Sequence, residues 1–148
     1  MNDEYYMDLA IAEARAAGAA GEIPIGAVVV ADATGRILGR GHNMTEALRD
    51  VTAHAEMLAI TAAQTALGGK YLKGCTLYVT VEPCTMCAGA IGWSQLGRIV
   101  IGASDEKRGY SGICRANRTP FHPRAKVDCG VREEECRRLM QDFFRGLR

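Results

Sequence analysis

His54 and Glu56 in Thr52-Ala53-His54-Ala55-Glu56, and Cys84 and Cys87 in Glu82-Pro83-Cys84-Thr85-Met86-Cys87, are residues whose types and spacing could do chemistry. One imidazole and two thiolates are zinc ligands. Three protein ligands leave one position of a tetrahedral zinc open, which is the catalytic rather than the structural arrangement. A separation of three puts both cysteine sulfurs on one face of a helix start, where they can hold one ion. Pro83 suits the first helical position, where its missing N–H costs nothing. A thiolate there also faces the positive end of the helix dipole. Glu56 adds a carboxylate able to move protons. Taken singly, a C-x-x-C is also half of a structural zinc site or a redox pair, and a lone histidine is usually just packed. A structural site would need a fourth ligand, for which Cys75, Cys114 and His42 are the candidates.

The elements that must position these residues follow from local patterns. Asn2 can cap a first helix carrying Asp3 and Glu4 in its first turn, with Met7, Ala10, Ile11 and Ala14 at helical spacing and Gly18 and Gly21 as its stop. Ile25 to Val30 and Ile37 to Gly39 predict a strand hairpin turning at Asp32 to Gly35, its first strand buried on both faces. A polar loop follows to Asp50. Thr52 to about Leu67 reads as a helix with His54 and Glu56 in its first turn. Positions two apart point to different faces of a regular helix, so both can reach one ligand only at its end. Thr76 to Val81 predicts a third strand, Cys84 to about Trp93 the cysteine helix, Arg98 to Ile101 a fourth strand and Ala125 to Val131 a fifth. Gly89 and Gly92 inside the cysteine helix point to close packing there. Gly102 to Arg124 reads as a long loop suited to substrate contact, and Arg132 to Phe144 as an amphipathic closing helix. Strands alternating with helices after a hairpin give an α/β fold, a three-layer α/β/α domain around one mixed sheet of about five strands, with residues 1–148 as a single domain.

Composition narrows the class. At 48% hydrophobic and 24% charged, the chain reads as an ordinary globular protein. Its first residues are acidic and no apolar run approaches the ~20 residues of a membrane helix, so the expected location is the cytoplasm, with no membrane partner. Cys75, Cys114, Cys129 and Cys136 are then expected to be free, buried thiols. Charge is uneven. Residues 1–97 carry 6 basic and 10 acidic side chains, residues 98–148 carry 12 and 7. A basic C-terminal third is a pointer to a polyanionic partner.

His54-Ala55-Glu56 with Pro83-Cys84-Thr85-Met86-Cys87 fits the H-x-E and P-C-x-x-C signature of zinc-dependent base deaminases. The chain resembles the cytidine-deaminase-like superfamily and, within it, the bacterial tRNA-specific adenosine deaminases. The likeness spans nearly its whole length, through Glu22 to Val28, Asn43, Asp50 to Glu56, Leu77 to Ile91 and Asp142-Phe143-Phe144-Arg145. The resemblance implies one zinc per subunit held by His54, Cys84 and Cys87, and a proton shuttle at Glu56. It implies a homodimer that converts the wobble adenosine of a tRNA anticodon loop to inosine. It further implies that Asn43 holds the target base, that Pro24 and Ile25 line the substrate site, that Asp105 and Lys107 lie near the substrate, and that Phe143, Phe144 and Arg145 contact the RNA. Ser104, Arg108, Tyr110 and the stretch from Arg118 to Lys126 depart from the family pattern. Two other functions share parts of the motif: deamination of a free base or nucleoside by the same zinc chemistry, and a non-catalytic zinc-stabilised binding module.

Overall fold

The computed structural model describes residues 2–114 and 118–147, so residues 115–117 of the long loop lie outside the described residues. Helix α1 (Asp3–Ala19) begins at Asn2, whose side chain accepts the Tyr5 N–H at 3.1 Å. Strand β1 (Gly26–Ala31) and strand β2 (Ile37–His42) form the antiparallel hairpin, with Gly35 at φ 72° in its turn. A short helix α2 (Thr45–Leu48) and helix α3 (Ala55–Leu67) lead to strand β3 (Cys75–Val81). Helix α4 (Thr85–Trp93), strand β4 (Arg98–Ala103), a 3₁₀ turn (Tyr110–Gly112), strand β5 (Lys126–Cys129) and helix α5 (Glu133–Gly146) complete the chain.

The sheet order is β2-β1-β3-β4-β5, with β1 antiparallel to β2 and β3, and β4 parallel to β3 and β5. Successive side chains of β1 enter opposite layers, as the two-residue strand period requires. Ala27 and Val29 join Ala59, Ala63, Ala88 and Ile91 beneath α3 and α4, while Val28 and Val30 join Met7, Ala10, Ile11 and Cys136 beneath α1 and α5. This is the expected three-layer α/β/α arrangement around a mixed five-stranded sheet. Among the described residues, no helix is long and apolar enough to cross a membrane.

Several local expectations change. The polar loop after β2 contains α2. Helix α3 starts at Ala55, three residues later than the apolar pattern predicts, because the Asp50 carboxylate takes both the Thr52 N–H and hydroxyl at 2.8 and 2.7 Å. That turn competes with the helix for the same backbone donors. His54 is therefore the N-cap, in extended conformation, and only Glu56 lies in the first turn. Pro83 precedes the N-cap Cys84 instead of occupying the first helical position. In α4, a Cβ on Gly92 would overlap the Pro120 carbonyl oxygen, whereas Gly89 faces open space, so close packing accounts for only one of the two. Cys129 is exposed and Cys114 half-buried, while Cys75 and Cys136 are buried; all are free thiols. Tyr110 and Phe121 pack edge-on at 4.8 Å and fold part of the long loop onto the core beside α4.

Strand directions decide where the chemistry gathers. The start of β1 and the ends of β2 and β3 meet at one end of the sheet, since β1 runs against both neighbours. The end of β4 lies there too. Helix α5 heads the same way: Arg132 pairs with Asp8 and Glu135 with Arg15, so it runs alongside α1 toward the start of β1. Its Cys136 packs over Gly102 near the end of β4. At ~1.5 Å per helical residue, Phe143 lies about 10 Å beyond Cys136, past that end of the sheet.

Candidate metal centre and active site

The two chemical segments converge because each occupies a helix start at the same sheet end. His54 is held by its own N–H donating to Thr52 O at 2.8 Å and its carbonyl accepting from Leu58 N at 3.1 Å. Cys84 caps α4, and Cys87 lies buried inside its first turn. His54 Nδ1 stands 3.7 Å from Cys84 Sγ and 3.5 Å from Cys87 Sγ. Zinc bonds of ~2.3 Å to sulfur and ~2.05 Å to nitrogen at a tetrahedral angle place S and N ~3.6 Å apart. All three ligand atoms lie within 4.8 Å of one another, so the trio fits zinc without rearrangement.

Electrostatics agree with this donor set. The Cys84 thiol is held down at about 5, first by the hydrogen bond from Cys87 and further by backbone N–H groups of Cys87 and Met86 at the start of α4. Cys87 is pushed up, because it donates that hydrogen bond and is then buried. Zinc takes both sulfurs as thiolates, so its binding releases protons. Glu56 is only 4% exposed. Burial, above all, pushes its carboxyl up to about 7, and the His54 ring pulls the other way. A bound dication would draw it lower still. A buried carboxyl that changes protonation near neutral pH is what a proton shuttle needs.

The candidate fourth ligands lie elsewhere. Cys75 opens β3 at the end remote from Glu82, roughly 20 Å away by strand length. The His42 ring faces Glu13 at 3.4 Å. Among the described residues, the clustered metal-binding group is His54, Cys84 and Cys87 alone, without Cys114.

The remaining predicted residues surround the same sheet end. Pro24 is buried and Ile25 half-buried just before β1, and Ile25 O accepts the N–H of Asn43, itself 5% exposed. Asp105 follows β4, its carboxylate capping the N–H groups of Lys107 and Arg108 at 3.0 Å each; Lys107 is exposed. Phe143 and Phe144 stack edge-on at 5.4 Å near the end of α5, Phe144 45% exposed, with Arg145 3.4 Å from Asp142. Direct contact thus joins His54, Cys84 and Cys87, with Glu56 beside them, while the tail residues meet one another.

Sequence reasoning missed two buried acids. Glu22 takes the N–H groups of Glu46 and Ala47 at 3.1 and 2.8 Å, fixing α2 beside Asn43. Glu82 takes donors from the loop after β4. A signal exists for both: each acid lies within two residues of a proline at the boundary of an apolar strand.

Gly41 sets how closely the metal segment approaches the sheet. A Cβ there would overlap Ala55 O and come within 2.8 Å of Ala59 N. Gly41→Ala is expected to cost ~1–3 kcal/mol through overpacking and to push the first turn of α3 outward. Zinc affinity measured with a chelating dye should fall about tenfold or more, since ~1.4 kcal/mol is a factor of ten.

Comparisons with known proteins match this geometry. Residues 1–103 match the family described as the cytidine and deoxycytidylate deaminase zinc-binding region. A tRNA-specific adenosine deaminase of Bacillus subtilis (strain 168) is 49% identical, covering 99% of this chain and 91% of its own. A solved structure from a study of A-to-I editing by tRNA:A34 deaminases superposes with TM-score 0.84 at 45% identity, covering 91% of this chain and 98% of that one. A guanine deaminase from Nitrosomonas europaea superposes with TM-score 0.79 at 26% identity, covering 95% and 83%. Likeness at that level over nearly the full length, joined to a matching zinc-binding region, shows that the chain belongs to the tRNA-specific adenosine deaminases, a family of zinc-dependent hydrolytic deaminases.

Proposed function

We propose that the chain converts the wobble adenosine of a tRNA anticodon loop to inosine, releasing ammonia, and does so in the cytoplasm as a homodimer with one zinc per subunit. The observation that carries this reading is the buried Glu56 beside a three-ligand zinc trio at the sheet end toward which an aromatic and basic helix tail projects. When bound by His54, Cys84 and Cys87, zinc supplies Lewis-acid activation of water. Glu56 accepts one proton from the attacking water and delivers it to the ring nitrogen beside the carbon under attack. It then moves a proton to the departing amine, so that water and adenosine leave as ammonia and inosine. Asn43, whose N–H donates to Ile25 O, holds the base in this reading. Asp105, Lys107, Phe143, Phe144 and Arg145 form the outer contacts, aromatic faces for unpaired bases and cations for phosphate. The exposed Met86 and Trp93 on α4, Trp93 at 86%, offer an apolar face for a second copy.

The second reading, deamination of a free base, is favoured by the likeness to the guanine deaminase. The third, a closed structural zinc module, lacks its fourth ligand among the described residues. Zinc-loaded protein incubated with an anticodon stem-loop carrying a wobble adenosine, and separately with free adenine, adenosine, guanine and cytosine, separates the first two. Inosine in the stem-loop alone is the expected result. Ammonia from a free base alone would replace the RNA assignment with the second reading.

A further inference from the structure

Glu82 lies two residues before Cys84, outside the metal trio and outside the proton transfers above, yet it is 8% exposed. A carboxylate removed from water needs donors. Among the described residues its donors come from one loop: the Asp105 N–H reaches Oε1 at 3.1 Å, and the Ser111 N–H and hydroxyl reach Oε2 at 2.9 and 2.5 Å. Among the described residues it makes no ion pair. The loop closes tightly around it. Tyr110 N–H donates to Pro83 O at 2.9 Å, Gly109 pairs with Cys84 in an isolated antiparallel bridge, and a Cβ on Gly109 would overlap the carboxyl group. The same loop presents Lys107 and Arg108 outward, their N–H groups gathered by Asp105.

We propose that Glu82 is a positioning residue for the RNA: it fixes the Asp105–Ser111 loop in register with the turn that carries Cys84. The outward face of the loop then meets the strand flanking the target base while that base is at Glu56. The inference rests on the RNA reading above. Its physical basis is geometric. The carboxylate accepts a backbone N–H at one end of a seven-residue loop and a backbone N–H with a hydroxyl at the other, and the same peptide leads directly into Pro83 and Cys84. Glu82→Gln keeps size and shape but replaces one acceptor oxygen by a donor amide, leaving an N–H or hydroxyl of the loop facing another donor. The core contact of Tyr110 with Phe121 remains to hold the loop base.

The test compares wild type, Glu82→Gln and Ser111→Ala as zinc-loaded proteins, by zinc content, by amide hydrogen exchange at residues 105 and 111, and by kinetics on the wobble-adenosine stem-loop. Zinc content should stay unchanged, exchange at one or both amides should accelerate ~10-fold, and KM for the stem-loop should rise ~10-fold with kcat within about twofold. Ser111→Ala, at an exposed position, should shift the same quantities less, and it carries the test alone if Glu82→Gln does not fold. Unchanged exchange and KM would overturn the proposal. So would loss of zinc or of kcat at constant KM, which would assign the carboxylate to the metal turn. Wild type that makes no inosine in the stem-loop would overturn the RNA reading and this inference together. Active wild type with an unshifted KM in the variants overturns only the inference.

Discussion

Glu56→Ala is expected to lower kcat by ~10²–10⁴-fold, the usual worth of general acid/base catalysis, with zinc bound at the wild-type ratio. The separation between the two readouts is what makes the result informative. Glu56 occupies the first turn of α3, two residues after His54, and its carboxyl is buried beside the trio without being one of the clustered ligands. On the proposed mechanism, removing it deletes the group that takes and returns protons while leaving one imidazole and two sulfurs in place. Because burial holds the acid up at about 7, its ionised form carries a desolvation penalty in the folded state. The folded pKa is raised above the unfolded value, so metal-free wild type should lose stability as pH rises from about 4 through 7. The alanine variant should lack that component of the pH dependence. Thermal melts of chelator-treated protein between pH 5 and 8 check this, and single-turnover deamination beside elemental analysis checks the catalytic role. Full turnover in the variant would remove Glu56 from the reaction.

His54→Ala should have the opposite profile, with zinc falling from about one per subunit to near none and deamination falling with it. Two sulfurs alone do not complete a catalytic site. Metal binding is also folding free energy. At free zinc of 100–1,000 times its dissociation constant it contributes ~2.7–4.1 kcal/mol, which for a chain of this size corresponds to roughly 5–15 °C in Tm. Wild type treated with a chelator should therefore approach the melting temperature of His54→Ala, and zinc should restore only the wild type. Elemental analysis with calorimetry reads both quantities, and unchanged zinc in the variant would strike His54 from the ligand set.

The two halves of the metal site were legible in the amino-acid order because each is local. Cys84 and Cys87 need only three residues of helix start, and His54 and Glu56 only the freedom of a helix end, to act on one ion. The hairpin of β1 and β2, the doubly buried β1 and the five strands were legible for the same reason: an alternating or continuous apolar run declares its own element. Boundaries were less so. At Asp50 and Thr52 a side-chain turn competed with helix propensity and displaced the start of α3, turning His54 into a cap.

Other features depend on contacts that no window of sequence contains. The His54 and Cys84 segments share one end of the sheet because β1 pairs antiparallel with β2 and β3. Glu22 and Glu82 are buried only because their backbone partners, 24 and 23 residues on at Glu46 and Asp105, fold over them. The projection of Phe143 past the site end likewise follows from α5 running alongside α1, which the Arg132–Asp8 and Arg15–Glu135 pairs establish. Residue types and short spacings thus specify which groups can bind a metal and move a proton, since each half of that chemistry sits within one helical turn. Which loops stand around them, and in what register, is set by strand pairing and buried hydrogen bonds between distant segments, whose energies exist only once the chain has closed.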